Sequence, residues 1–138
     1  KVKKPWGYEI WIVWFKHHHV LKKIYMEKGN KCSLQYHKEK YETNFIVEGK
    51  ARVLRGIHLN KNNIENALKF YNDLDDIDKY FHEVAPGDYW DNEPYEIHRV
   101  FSKESYLSYE ASTSQLDDVV RLKDDSNRHS GLIKSEHL

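Results

Sequence analysis

A single cysteine, Cys32, among 138 residues excludes an internal disulfide and a multi-cysteine zinc site. That scarcity fits a reducing compartment. An excess of either charge is also missing, because 22 Lys plus Arg balance 22 Asp plus Glu. No overall basic field therefore draws the chain to nucleic acid or to an anionic membrane, and any phosphate recognition must be local. No apolar run approaches the length of a membrane span, and the opening KVKKPWGYE has no apolar region of the signal-peptide kind. The expectation is a cytoplasmic protein with no nucleic-acid or membrane partner. Internal repeats and low-complexity linkers are missing too, and the length suits one domain over residues 1–138, with a single core rather than two.

What the chain has in quantity is aromatic residues, 14% of the total, gathered with β-branched ones into short segments. These lie at 8–14, 20–26, 32–37, 43–48, 51–55, 81–84, 96–101 and 106–111. Eight short strands separated by turn residues predict an all-β antiparallel sandwich or barrel. One segment departs from the pattern: in NKNNIENALKFYNDLDDIDKYF, residues 60–81, Ile64, Leu68 and Tyr71 stand at helical spacing. It reads as part of an insertion over about 57–81 carrying one short helix. The polar stretch from Asp117 onward, about 117–138, is expected to lie over the barrel before fraying. The segment YEIWIVW offers apolar groups on both faces, so a homodimer through outer strands is expected. Trp6, Trp11 and Trp14 read as core or dimer contacts, and Trp90 as core or a sugar-stacking ring.

The stretch GNKCSLQYHKEKYETNFIVEG, residues 29–49, concentrates the polar chemistry. Residues two apart on a strand share a face, so Gln35 and His37 point the same way, and after a turn at 38–41 the next strand opens with Glu42. Adjacent antiparallel strands are expected to bring the three together. An imidazole nitrogen, a carboxylate and an amide oxygen inside a barrel make a divalent-metal site if one more ligand arrives. His98, at the end of a turn-rich approach after Gly87, can supply it. The donor set Gln35, His37, Glu42 and His98 suits zinc foremost and also iron, manganese, cobalt or nickel. Cys32 falls on the opposite face and reads as a packed, inert residue, and the triple-histidine run at 17–19 as an exposed loop.

Both segments resemble the two sequence motifs of the cupin superfamily, with Gln35 at the place of the usual first histidine. The context SLQYH is similar to the C-terminal isomerase domain of the bifunctional mannose-6-phosphate isomerase/mannose-1-phosphate guanylyltransferases. KPWGYE resembles that family's RPWGSYE opening, and DDVVRLKDD followed by Arg128 resembles its closing DDIVRLEDDYGR. The likeness runs over about residues 3–128 apart from the insertion, with no counterpart of the nucleotidyltransferase domain. Where the family reads QMHHHRAEHW this chain has QYHKEKYETN, so Lys40 replaces an arginine and Thr43 and Asn44 replace His-Trp. Where it reads PPGTVH, the chain has Glu93, Pro94 and Tyr95 before Glu96-Ile97-His98, without the glycine.

The resemblance implies a cupin jelly-roll barrel and aldose–ketose interconversion of a small-molecule sugar phosphate, with a bound metal holding O1 and O2 of the open chain. Glu96, on the face of His98, is the candidate base. Lys22, matching the lysine of the family's VKRI stretch, Arg121 in VVRL, and Lys40 are candidates for phosphate or enediolate charge. A non-catalytic module binding a sugar phosphate or nucleotide sugar is the alternative of a different class. An epimerase or oxygenase on the same scaffold is a further one.

Overall fold

The computed structural model describes residues 1–115 and 117–123 with their side chains and residues 131–133 as backbone. Two six-stranded antiparallel sheets face each other. The first runs β1 (Val2–Lys4), β2 (Gly7–Phe15), β3 (His19–Met26), β10 (Tyr106–Thr113), β5 (Glu42–Glu48) and β8 (Tyr89–Asn92) in spatial order. The second runs β12 (Gly131–Ile133), β11 (Val119–Lys123), β4 (Leu34–Tyr36), β9 (Glu96–Ser102), β6 (Ala51–His58) and β7 (Phe81–Val84).

Period-two alternation makes these segments strands. In β5, Glu42, Asn44 and Ile46 are buried between the sheets while Thr43 and Phe45 face outward. In β10, Tyr106, Ser108, Glu110 and Ser112 are the buried set. Cross-strand register then stacks the inward groups in rows: Val20, Ser112, Glu42 and Asn92 form one, and Lys22, Glu110, Asn44 and Trp90 the next.

Apolar packing is divided in two. One cluster fills one end of the space between the sheets with Trp6, Met26, Ile46, Val53, Val100, Trp90 and Tyr106 among others. The other lies outside the second sheet, where Leu34, Tyr36, Leu54, Ile57 and Ile97 are covered by Ile64, Phe70, Leu74 and Ile77. Those covering residues belong to the insertion, which contains the helix α1 (Ala67–Asn72) between two 3-10 turns at Ile64–Asn66 and Ile77–Tyr80. At about 1.5–3 kcal/mol for each large aliphatic side chain removed from water, covering this face is what the insertion contributes to the fold. The first sheet has no such cover among the described residues: Tyr89, Phe45 and Tyr109 stand in cross-strand register on its outer face, 67%, 50% and 36% exposed.

Three expectations are corrected. The segment from Asp117 does not merely lie over the barrel, because β11 pairs with β4 and buries Val119, Val120 and Arg121; three consecutive buried residues hide the alternation that would have marked it as a strand. Strands β4 and β5 are not adjacent either, since they belong to opposite sheets and the 37–41 connection crosses between them. Finally, Cys32 lines the central cavity, where its sulfur accepts a hydrogen bond from the Val100 amide at 3.2 Å, because it precedes β4 rather than sharing that strand's parity. Arg128 of the family-like closing segment lies outside the described residues.

Candidate metal centre

Between the sheets lies a cavity of about 100 Å³ lined by Gln35, His37, Glu42 and His98. Each sheet contributes donors: His37 follows β4 and His98 lies on β9, whereas Glu42 opens β5 in the facing sheet. Gln35 is the cross-strand partner of His98. The four expected donors therefore line one cavity, by convergence across the barrel rather than along a hairpin.

His37 and His98 are both aimed by backbone carbonyls. His37 Nδ1 lies 2.6 Å from the Asp118 carbonyl, and His98 Nδ1 lies 3.0 Å from that of Glu96. A carbonyl can only accept, so each Nδ1 carries the proton and Nε2 is turned toward the cavity. Both rings are 2% exposed. Burial pushes the His98 pKa down to about 4, so this ring is neutral at pH 7. His37 Nε2 is buried without a hydrogen-bond partner. Glu42 Oε1 stands 3.7 Å from His37 Nε2 and 3.4 Å from His98 Nε2, and the three donor atoms form a group able to hold a metal ion. Asn92 donates to the same Glu42 oxygen at 2.8 Å and fixes its direction. Gln35 currently turns its amide nitrogen to His98 Nε2 at 3.3 Å, while Ser33 donates to its oxygen at 2.6 Å. A half-turn of the amide exchanges these ends and presents the oxygen to the centre, with Ser33 then accepting.

Behind the donors runs a chain of alternating charge. Lys40 Nζ is 3.5 Å from Glu42 Oε2 and 3.5 Å from Glu110 Oε2. Lys22 Nζ is 4.0 Å from Glu110 and 3.4 Å from Glu9. Burial opposes the charge on Glu42 but is outweighed chiefly by the Lys40 ammonium, which holds it well below the usual carboxylate range. Glu110 is pushed up to about 8 by burial and by the Glu42 charge. Burial, then the Lys40 charge, lower the Lys22 pKa, whereas for Lys40 the effect of burial is overcome by Glu110 and Glu42, which raise it. Arg121, from β11, also lines the cavity.

Lys22, Lys40 and Arg121 thus share the cavity with the donors, as the sequence suggested, and Glu96 does not. The bulge in β6 between Leu54 and Ile57, with Gly56 at φ 86°, brings the Gly56 amide to Glu96 Oε2 at 2.8 Å; the Glu93 amide takes Oε1 at 3.1 Å. Shared parity with His98 does not bring Glu96 into this cavity: it starts the strand, is 2% exposed and has both carboxylate oxygens taken by those amides. Glu96 also belongs to a second group able to hold a cation, with His58 and Glu93. There, however, His58 and Glu93 are more than half exposed and pair with each other at 3.2 Å.

Sequence reasoning missed Asp118 altogether. Its carboxylate accepts the backbone N–H groups of Lys38, Glu39 and Lys40 at 3.0, 2.6 and 3.0 Å, closing the loop between His37 and Glu42, while its carbonyl orients His37. The acidic pair before VVRL was the available signal. Tyr95 ties down the backbone of His37. It adopts φ 63°, the conformation that the missing glycine of PPGTVH would take, and its amide donates to the His37 carbonyl at 2.7 Å. Glu110 and Glu9 were also missed; the inward parity of Glu110 in YLSYEAST was legible.

No family model matches the chain, and no curated protein matches it in sequence. Solved structures do. KdgF from Halomonas sp. aligns at TM-score 0.58 and 11% identity, over 79% of this chain and 81% of that one. A cupin superfamily protein from Desulfitobacterium hafniense aligns at 0.55 and 11%, over 82% of each. A candidate sugar phosphate isomerase from Acidithiobacillus ferrooxidans aligns at 0.50 and 17%, over 74% of this chain and 53% of that one. At such identities the likeness speaks to architecture alone, and with two facing antiparallel sheets and one short helix the chain has the cupin double-stranded β-helix fold.

Proposed function

We propose that the chain is a metal-dependent enzyme that interconverts aldose and ketose forms of a phosphorylated sugar. The observation that carries this reading is the convergence of His37 Nε2, His98 Nε2 and Glu42 Oε1 on one buried cavity, each imidazole fixed by a carbonyl at Nδ1 and His37 Nε2 left without a partner. Three electron-rich atoms facing one another call for a cation. Two imidazoles and a carboxylate fit zinc or another first-row divalent ion, with the Gln35 oxygen as a fourth donor after its half-turn. Such an ion, when bound, supplies Lewis acidity toward neighbouring sugar oxygens.

The chain's own groups account for the rest. Lys22, Lys40 and Arg121 set positive charge around the cavity, where it opposes the negative charge that develops on O1 and O2 as a proton leaves carbon. Glu110, the cavity carboxyl beside Lys40 and outside the donor set, takes the proton-moving role in place of Glu96, whose oxygens are committed to backbone amides. The fold neighbour described as a candidate sugar phosphate isomerase is compatible with this chemistry.

Elemental analysis and an isomerisation assay across hexose and pentose phosphates, on the same preparations, test the reading. The expected result is one equivalent of metal, abolished by His37→Ala or His98→Ala, reduced by Glu42→Gln and least affected by Gln35→Ala. Glu110→Gln should keep the metal and lose turnover by about 10²-fold or more. Full metal occupancy in the His37→Ala/His98→Ala double variant would sink the centre. Metal-loaded protein that binds sugar phosphates without turning any over would leave the binding-module alternative.

A further inference from the structure

The cavity holds polar groups that neither the metal donors nor the charge chain uses. Asn44, on β5, and Ser108, on β10, are 2% and 0% exposed, and Asn44 Nδ2 and Ser108 Oγ have no hydrogen-bond partner of ordinary geometry. Both residues line the cavity. Register places Asn44 directly between Glu110 and Trp90, one inward row deeper than Glu42, and Ser108 one row deeper again, opposite Ile46. A buried donor left unsatisfied costs about 1–3 kcal/mol, and native folds rarely keep two in one place without something that meets them.

The surroundings restrict what that something is. A simple anion at Asn44 would face the Glu110 carboxyl, its cross-strand neighbour. An apolar ligand would leave the amide and hydroxyl stranded. A hydroxyl group both donates and accepts, so a row of them satisfies Asn44, Ser108 and Glu110 together. The remaining wall here is apolar, with Trp6, Trp90, Ile24 and Val100, and suits the C–H face of a carbon chain bearing those hydroxyls. Size adds a limit: about 100 Å³ is room for about three waters at ~30 Å³ each, so only the few carbons at one end of a sugar enter.

We propose that Asn44 and Ser108, one and two inward rows along the first sheet from Glu42, form a hydroxyl-recognition subsite that selects an open-chain polyhydroxylated ligand. This rests on the reading of the cavity as a metal-dependent sugar-phosphate site and assigns to that site what recognises the chain beyond the reacting carbons. Asn44 is one of the two positions where the motif's His-Trp is replaced, so the subsite is a property of this sequence, which puts an amide in the place of an indole.

The test compares sorbitol 6-phosphate, an open chain that cannot isomerise, with hexyl phosphate, its hydroxyl-free counterpart, by calorimetry on zinc-loaded protein. Wild type should bind sorbitol 6-phosphate at least tenfold more tightly than hexyl phosphate. Asn44→Leu should erase that preference and Ser108→Ala should reduce it, with zinc stoichiometry and hexyl phosphate binding unchanged. Ser108→Ala, the smaller change, keeps the test decisive should Asn44→Leu fail to fold. A preference unchanged in the folded variants would overturn the subsite and assign the orphan groups to trapped water, especially if Asn44→Leu also raised the melting temperature. Wild type that takes up zinc but shows no preference would overturn it too. An Asn44-dependent preference in protein that never retains zinc would sink the metal reading and spare the subsite.

Discussion

Replacing Lys40 by methionine keeps the length and bulk of the side chain while removing the cation at the middle of the buried charge chain. Lys40 Nζ lies 3.5 Å from a Glu42 oxygen and 3.5 Å from a Glu110 oxygen, with all three side chains at most 8% exposed. At an effective dielectric near 20, each contact at this distance amounts to ~5 kcal/mol of gross Coulomb attraction. Desolvation of the ammonium offsets part of that. Removing one partner of a buried set leaves the others uncompensated, which costs about 3–5 kcal/mol. In the variant both carboxyls should titrate higher in the folded state than in the unfolded one, whose reference value is 4.5. A raised acid is neutral in both states below that value, and its cost grows as pH rises toward the folded-state pKa, by ~1.4 kcal/mol per unit. Because Lys40 holds Glu42 low in wild type whereas Glu110 is raised with or without the ammonium, the stability gap between wild type and Lys40→Met should come chiefly from Glu42, widen as pH rises and reach about 3–4 kcal/mol by pH 8. A cation bound at the donor group would compensate Glu42 in place of the ammonium, so zinc should stabilise the variant more than wild type. Urea unfolding at several pH values, with and without zinc, measures all of this. A gap under ~1 kcal/mol at pH 8, or one that does not change between pH 5 and 8, would refute the electrostatic reasoning.

Three other outcomes follow from particular contacts. Asp118→Ala should weaken zinc binding about 10- to 100-fold without touching a donor atom, because the loop carrying His37 loses three backbone hydrogen bonds; competition with a chelator reads it, and Asp118→Asn should restore part of the affinity. At Tyr95, glycine should be more stable than alanine by about 1–2 kcal/mol in thermal melts, since both lose the ring but only glycine tolerates φ 63° freely; equal melting temperatures would remove the strain argument. We propose a homodimer through the outer face of the first sheet, where Tyr89, Phe45 and Tyr109 form an exposed aromatic row. Phe45→Lys with Tyr89→Glu should shift sedimentation to monomer, and a wild type that is monomeric at micromolar concentration contradicts the idea.

The amino-acid sequence by itself determined what short-range geometry controls. Runs of β-branched and aromatic residues placed most of the expected strands to within two residues at either end, as in β3 and β10, because such side chains suit a half-buried pleat. Helical spacing of Ile64, Leu68 and Tyr71 marked the insertion, and strand parity with motif spacing singled out Gln35, His37, Glu42 and His98. Tertiary structure decided which faces meet. Local pattern cannot tell a hairpin from a crossover, so the sequence paired β4 with β5 where the barrel opposes them across the cavity. It equally could not tell Glu96, on the face of His98 but held by the Gly56 and Glu93 amides, from Glu110, which lines the cavity with the donors. The acidic pair was in view, but the role of Asp118 was hidden for the same reason: its hydrogen bonds span 78 to 80 residues of chain, and nothing in a local window records a partner at that separation. The donors were legible because their types and spacings are constrained by the chemistry they offer, whereas the residues that aim them are chosen by where the fold happens to bring a carbonyl or an amide within reach.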